Sequence, residues 1–454
     1  MAKPRRMVVI GGTAAGLSAA SKAKRLDQDL QITVFEKSGY ISYGACGLPY
    51  FVGGLIEKPE QLVSFSVEEM QDKRGISVHI HHEVLSIDRE NKQVTVQNMK
   101  TGAMLVAPYE ILVIATGAVP VRPAIEGIDI PRVVFLRTVE DGILLKGYVH
   151  DTQRAVLVGG GFIGLELAEE LTQAGVHVTL FEAMDRLLPF LPQSFSRKVQ
   201  ETLDAHGVTV HLNAKIARIL SSNGVAGAVE SVDGTQVKAD LVVLSVGVHP
   251  ATALARAAGL ELGIKDSIVV DDHMQTSDSA IWACGDCAQM RHIITGKPVH
   301  IPLGTTANKM GKVAGSVIGG EKDSFAGVLG SMVTKVFDLY IAATGLSLNE
   351  AKTAGYDAME SVITKNDKAS YYPGGEPNTL NIVFDGTSGR LLGAQGYGSE
   401  SIAGRINVLV ACITAGMTVS QVNDLDLVYA PPVAPVYDPI LIAASQALKH
   451  VGRS

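Results

Sequence analysis

Two glycine loops constrain this chain more than any other feature. Met7–Ile10 is a short apolar run, followed by Gly11-Gly12-Thr13-Ala14-Ala15-Gly16 and small residues at helical spacing; Ile32–Phe35 is a second apolar run, closed by Glu36. Ala155–Val158 starts the pattern again, with Gly159-Gly160-Gly161-Phe162-Ile163-Gly164, a helical stretch through Leu171, then Val176–Phe181 and Glu182. Both copies read as strand, glycine turn, helix, strand, acid, which is the dinucleotide-binding βαβ unit. The first glycine of each, Gly11 and Gly159, allows a tight turn. The middle one lets a pyrophosphate approach the backbone; it is Gly161 in the second copy and Thr13 in the first. Gly16 and Gly164 let helix and strand pack closely, and the helix N-terminus offers free N–H groups. Glu36 lies 20 residues beyond Gly16 and Glu182 lies 18 beyond Gly164, where a carboxylate accepts hydrogen bonds from a ribose. The expected fold class is α/β.

A chain of 454 residues is long enough for roughly two to four domains. With 39 basic and 46 acidic residues and no basic tract, it is a poor binder of nucleic acid or anionic membranes. Four cysteines do not make a disulfide-stapled scaffold, so a reducing, cytoplasmic setting is expected. Arg5-Arg6 precedes an apolar run that breaks at Gly11-Gly12, so no export signal is expected. No stretch reaches the roughly 18 apolar residues of a membrane helix, and Ile440–Ala447 reads as a buried or interface helix.

Each unit has a later partner. Ile111–Ile114 leads into Ala115-Thr116-Gly117-Ala118-Val119-Pro120, and Leu241–Leu244 into Ser245-Val246-Gly247-Val248-His249-Pro250. Both are strands ending at a small-residue turn. A third strand signal ends at Cys284-Gly285-Asp286, where an aspartate can accept from a polyol chain.

This set of motifs resembles the two-dinucleotide-binding flavoprotein reductases, which include glutathione reductase and lipoamide dehydrogenase. The resemblance covers essentially the whole chain. It implies two Rossmann-like domains, for FAD and NAD, and an α+β C-terminal dimerisation domain. The FAD domain would comprise residues 1–118 and 248–325, the NAD domain 119–247, and the dimerisation domain 326–454. Within the last, Leu380–Phe384 and Leu391–Gly396 flank Asp385-Gly386 as a hairpin would. FAD contacts would fall on Gly11, Gly16, Glu36, Lys37, Ser42, Thr116, Gly117 and Asp286. Nicotinamide-nucleotide contacts would fall on Gly159, Gly161, Ile163, Gly164, Glu182 and Gly247, with NADH favoured over NADPH unless Arg186 folds back over Glu182.

Ser42-Tyr43-Gly44-Ala45-Cys46-Gly47-Leu48-Pro49-Tyr50 bears on which branch of that family the chain resembles. Glutathione-reductase-type members carry a second cysteine five positions away; here that position is Phe51. The segment resembles the single-cysteine branch: coenzyme A disulfide reductases, NADH oxidases, NADH peroxidases and NADH-dependent persulfide reductases. One thiol there cycles through a mixed disulfide or a sulfenic acid. Peroxidases and many oxidases of the branch carry a histidine where this chain has Ala14, which lowers those readings. The resemblance implies a coenzyme A disulfide reductase first, and a coenzyme A persulfide or polysulfide reductase second. A flavin redox sensor with little turnover is a reading from another class. No rhodanese-like domain is expected to follow the dimerisation segment.

On this reading Cys46 is the nucleophile, its thiolate helped by oxidised flavin and a nearby helix end. Lys22 and Arg25, three apart on one helical face, would meet coenzyme A phosphates. Tyr371, preferred over Tyr372, and Tyr429 would reach the cysteine of the partner subunit in a homodimer. The other cysteines read as packing: Cys284 and Cys287 lack the second ligand pair of a zinc site, and Cys412 lies in an apolar helical run. His79, His81 and His82 would alternate along a surface strand, placing His79 and His81 on one face with too few ligands for a metal.

Overall fold

A computed structural model describes residues 5–452. Its first sheet is wholly parallel, with strands in the order Ile281–Ala283, Ile111–Ile114, Arg6–Ile10, Gln31–Phe35, Ile76–His79. The second sheet, also parallel, has the order Thr209–His211, His177–Phe181, Arg154–Val158, Leu241–Leu244, Val133–Phe135. The two units match in register. Ile10 pairs with Phe35 and Ile114, and Val158 pairs with Phe181 and Leu244. Their central strands, Met7–Ile10 and Ala155–Val158, are buried throughout, as expected where helices cover both faces of a parallel sheet.

The helix after the first glycine loop, Ala14–Leu26, buries Ala15, Ala19, Ala20 and Ala23. It packs on helix Gly304–Ile318, and the fit is tight. A Cβ on Gly311 would lie 2.3 Å from the Ala15 carbonyl oxygen, and one on Gly315 would lie 2.4 Å from that of Ala19. A late segment of the chain thereby completes the first unit.

The C-terminal part is an antiparallel five-stranded sheet, in the order Met332–Val336, Leu339–Gly345, Leu391–Gly398, Pro377–Asp385, Ala358–Asn366. The expected hairpin is present, with Leu380 opposite Gly396. Helices Ser401–Thr414 and Pro439–Leu448 pack on the sheet, and both Ile440–Ala447 and Cys412 contribute buried residues to that core. Asp438 caps the last helix through the Ile440 N–H, and the buried Arg405 guanidinium bonds Asp438. Around the adjoining loop Tyr371, Val428, Val433, Val436 and Tyr437 are exposed, an apolar surface on one protomer. Among the described residues, no helix is long and apolar enough to cross a membrane.

The histidine segment departs from the expected strand. The strand ends at His79, and His81 turns the chain at φ +56° before the next strand, His82–Asp88. The rings that meet are His79 and His82, 5.4 Å apart, with His79 stacked on Phe35. A left-handed residue breaks the two-residue alternation on which the strand reading rested.

Candidate active site

The two glycine loops are built alike. Gly11 has φ +108° and Gly159 φ +111°, and a Cβ on either would strike a carbonyl oxygen, 2.2 Å from Ala115 or 2.5 Å from Ser245. A Cβ on Gly16 or Gly164 would lie 2.0 Å from the carbonyl oxygen of Gly11 or Gly159. Thr13 holds the same extended backbone as Gly161, with φ −106° against −85°, so the middle position tolerates a side chain. The acids repeat as well. Glu36 accepts from the N–H groups of Gly12 and Ser38, and Glu182 from those of Gly160 and Met184, at 2.7 and 2.8 Å in both cases. Each carboxylate is thus fixed at its loop with lone pairs to spare.

These residues fit the two dinucleotides. In the first unit Thr116 donates to the Ala251 carbonyl, which pins the turn that ends at Gly117 (φ +69°). One oxygen of Asp286 accepts from Arg137 at 3.1 Å; the other, Oδ1, is buried without a partner among the described residues, as an acceptor awaiting a polyol hydroxyl would be. Burial pushes the Asp286 carboxyl up, against Arg137. Lys37 is bonded to Glu83 at the exposed edge of this unit. In the second unit nothing lies within 4 Å of a Cβ placed on Gly161 or Gly247, so the loop face is open. Ile163, half-buried in the first turn of helix Phe162–Gln173, borders it. Arg186 bonds its neighbour Asp185.

Cys46 is laced to the first loop. The Ser42 N–H donates to the Gly12 carbonyl, the Ser64 N–H donates to Ser42, and Gly44 donates to Leu62. Ser42 itself sits at φ +50°, a conformation that a serine adopts only where its surroundings impose it. Cys46 follows in a tight turn, Ala45–Gly47, directly before helix Leu48–Gly53. Among the described residues it is the exposed cysteine; Cys284, Cys287 and Cys412 are buried. The surrounding protein nevertheless crowds its sulfur. Desolvation and then the Glu166 carboxylate push the thiol up, with Arg137 opposing them.

Lys22 and Arg25 do share a face of helix Ala14–Leu26. Lys22 is paired with Glu321 at 2.7 Å, and Arg25 is exposed. On this helix the structure adds residues that sequence reasoning missed. Arg74 bonds Ser21 at 3.2 Å with its guanidinium over the Phe65 ring, and Asn308 accepts from Ser18 at 2.8 Å. Nothing in the local sequence marks Arg74 or Asn308, which long-range packing brings there. Tyr371 and Tyr429 also meet, their hydroxyls 2.8 Å apart on the exposed surface, while Tyr372 makes no such contact.

Comparison with known proteins agrees with this layout. Residues 5–311 match the family Pyridine nucleotide-disulphide oxidoreductase, and residues 332–438 match its dimerisation domain. The NAD(P)H sulfur oxidoreductase (CoA-dependent) of Pyrococcus furiosus is 40% identical over 445 residues, 97% of this chain and 98% of that relative. A coenzyme A disulfide reductase of Staphylococcus aureus is 30% identical over 430 residues, 94% of this chain and 96% of that one. The NAD-dependent persulfide reductase from A. fulgidus superposes with a TM-score of 0.95 at 38% identity, over 98% of this chain and 83% of that one. With its paired Rossmann-type units, its dimerisation domain and cradles that fit FAD and NAD(P)H, the chain belongs to the pyridine nucleotide-disulphide oxidoreductases.

Proposed function

We propose that this enzyme reduces sulfur–sulfur bonds of coenzyme A-linked substrates at Cys46. The observation that carries the reading is an accessible cysteine hydrogen-bonded through its segment to the FAD-type glycine loop, with no second cysteine beside it. FAD, when bound, supplies the two-electron link between NAD(P)H and sulfur. Gly11, Gly16, Glu36, Lys37, Ser42, Thr116, Gly117 and Asp286 would hold it, and the second loop with Ile163, Glu182 and Gly247 would hold the nicotinamide nucleotide. The Cys46 thiolate attacks one sulfur of the substrate and the other leaves as a thiolate or sulfide. Lys22 and Arg25 on helix Ala14–Leu26, with Arg74 bonded to its Ser21, hold the coenzyme A phosphates. Tyr371 and Tyr429 lie on the exposed apolar surface of the dimerisation domain. From a homodimer partner they would donate hydrogen bonds to the substrate sulfur.

The names carried by relatives at 38–40% identity support persulfide or polysulfide sulfur as the substrate. The Tyr371–Tyr429 hydroxyl pair supports a second reading, coenzyme A disulfide itself, for which a proton donor to the departing thiolate is useful. The test compares NADH-dependent kcat/KM for coenzyme A persulfide, polysulfide, coenzyme A disulfide and oxygen. A coenzyme A-linked sulfur substrate should exceed oxygen by at least about tenfold, a difference of roughly 1.4 kcal/mol in transition-state binding. Intact mass after exposure to coenzyme A disulfide should show the adduct on Cys46. Oxygen as the best acceptor, with no adduct, would refute the reading.

A cofactor preference follows from Glu182. Its carboxylate would repel a 2′-phosphate, and Arg186 is engaged with Asp185 instead of lying over it. NADH should exceed NADPH in kcat/KM by about tenfold or more, the effect of roughly 1.4 kcal/mol of repulsion. Equal use of both cofactors would mean that Glu182 does not face the ribose.

A further inference from the structure

The two exposed tyrosines sit on segments that are neither helix nor strand. Tyr371 lies in the link 367–376 between strands Ala358–Asn366 and Pro377–Asp385, and Tyr429 in the stretch 424–438 that runs into helix Pro439–Leu448. The segments meet at the tyrosine hydroxyls, 2.8 Å apart, and again where the Ala369 N–H donates to the Pro431 carbonyl at 3.2 Å. At their base both run onto one buried side chain, Arg405 of helix Ser401–Thr414. Its Nε donates to Asp438 at 3.0 Å, its Nη2 to the Asp367 carbonyl at 3.1 Å and its Nη1 to the Ser401 hydroxyl at 2.6 Å. Asp367 opens the first segment and Asp438 closes the second. Each carboxylate is used again. Asp367 accepts from the Glu376 N–H and the Ser399 hydroxyl, both at 2.8 Å, and Asp438 from the Ile440 N–H at 2.9 Å. An apolar pair of similar volume would often stabilise a fold as well as a buried ion pair does. What the guanidinium adds is a planar fork that fixes several acceptors at once, which an ammonium on a flexible stem does not reproduce.

We propose that Arg405 is a positioning residue that holds the Tyr371 and Tyr429 hydroxyls in place for sulfur reduction, acting through the ends of their segments and not on the substrate. The proposal rests on the reading above, in which these tyrosines serve the sulfur chemistry of Cys46, and its test separates the two.

Arg405→Met alone would leave the Asp438 carboxylate buried and unpaired, at a cost to folding. The test therefore uses Arg405→Lys, which keeps the charge and loses the fork, and Arg405→Met combined with Asp438→Asn, which removes both charges. Both are compared with wild type at equal FAD occupancy and equal dimer content. Amide hydrogen exchange in 367–376 and 424–438 should rise by at least about tenfold, with helix Ser401–Thr414 unchanged. Flavin reduction by NADH should stay within about twofold of wild type, while kcat/KM falls by about tenfold for coenzyme A disulfide or persulfide, whichever the wild type turns over faster. Added to Tyr429→Phe, Arg405→Lys should cost no more than about a further twofold, because both remove the same interaction. Losses that multiply would overturn the proposal. So would wild-type exchange of the two segments in both variants, or an equal slowing of flavin reduction and sulfur reduction. Tyr429→Phe with wild-type sulfur turnover would refute the tyrosine role itself, and the catalytic part of this proposal with it.

Discussion

Cys46→Ser is expected to bind FAD and take hydride from NADH at near wild-type rates, yet to lose sulfur reduction by at least about a thousandfold, roughly 4 kcal/mol of transition-state stabilisation. The size follows from chemistry. A serine hydroxyl cannot form a mixed disulfide, and the other three cysteines are buried away from solvent. The separation of the two half-reactions follows from geometry. The backbone turns and the carboxylates of Glu36, Glu182 and Asp286 proposed to hold the nucleotides are fixed by contacts that do not involve the cysteine sulfur. Flavin reduction followed at its visible absorbance, beside disulfide or persulfide turnover, measures both. Turnover within a few-fold of wild type would remove Cys46 from the mechanism.

The second large effect concerns subunit sharing. Tyr371 and Tyr429 are 73% and 44% exposed in one protomer, amid an apolar surface on the dimerisation domain, with their hydroxyls paired. Under the proposed assembly each Cys46 receives this pair from its partner in an isologous dimer. Cys46→Ser chains should be inactive and Tyr429→Phe chains strongly impaired. In a verified heterodimer of the two, one site holds both lesions and the other holds neither. Activity should return to about half of the wild-type value per heterodimer. If each site were built from one chain, every site would keep one lesion and activity would stay low. Heterodimers without recovery would place the tyrosines in the same chain's site or outside the chemistry.

Much of the cofactor architecture was legible from local pattern. Gly11, Gly16, Gly159 and Gly164 stand where a Cβ would strike a carbonyl oxygen, so backbone geometry itself demands glycine and the sequence displays the demand. The strand-ending acids and the late Gly285-Asp286 are legible for a similar reason, since each closes a short apolar run. The hairpin around Asp385-Gly386 is a local alternation broken by a turn signal, and it appears where expected. His81 shows where this kind of reading fails. One left-handed residue reverses the side-chain alternation, and the residue type does not announce it.

What only the tertiary structure decided are the contacts made across long stretches of chain. Strand Val133–Phe135 joins the second sheet from ahead of its glycine loop. Arg74 reaches Ser21, Arg137 reaches Asp286, and Thr334 and Lys335 reach the acidic side of the second glycine-loop helix. The chemistry proposed for the site is therefore read from a cysteine and two loops, whose requirements are met within a few residues. Its electrostatics were set by side chains with no local signature. The crowding and the carboxylate that push the Cys46 thiol up depend on which helix is seated against which, and packing decides that.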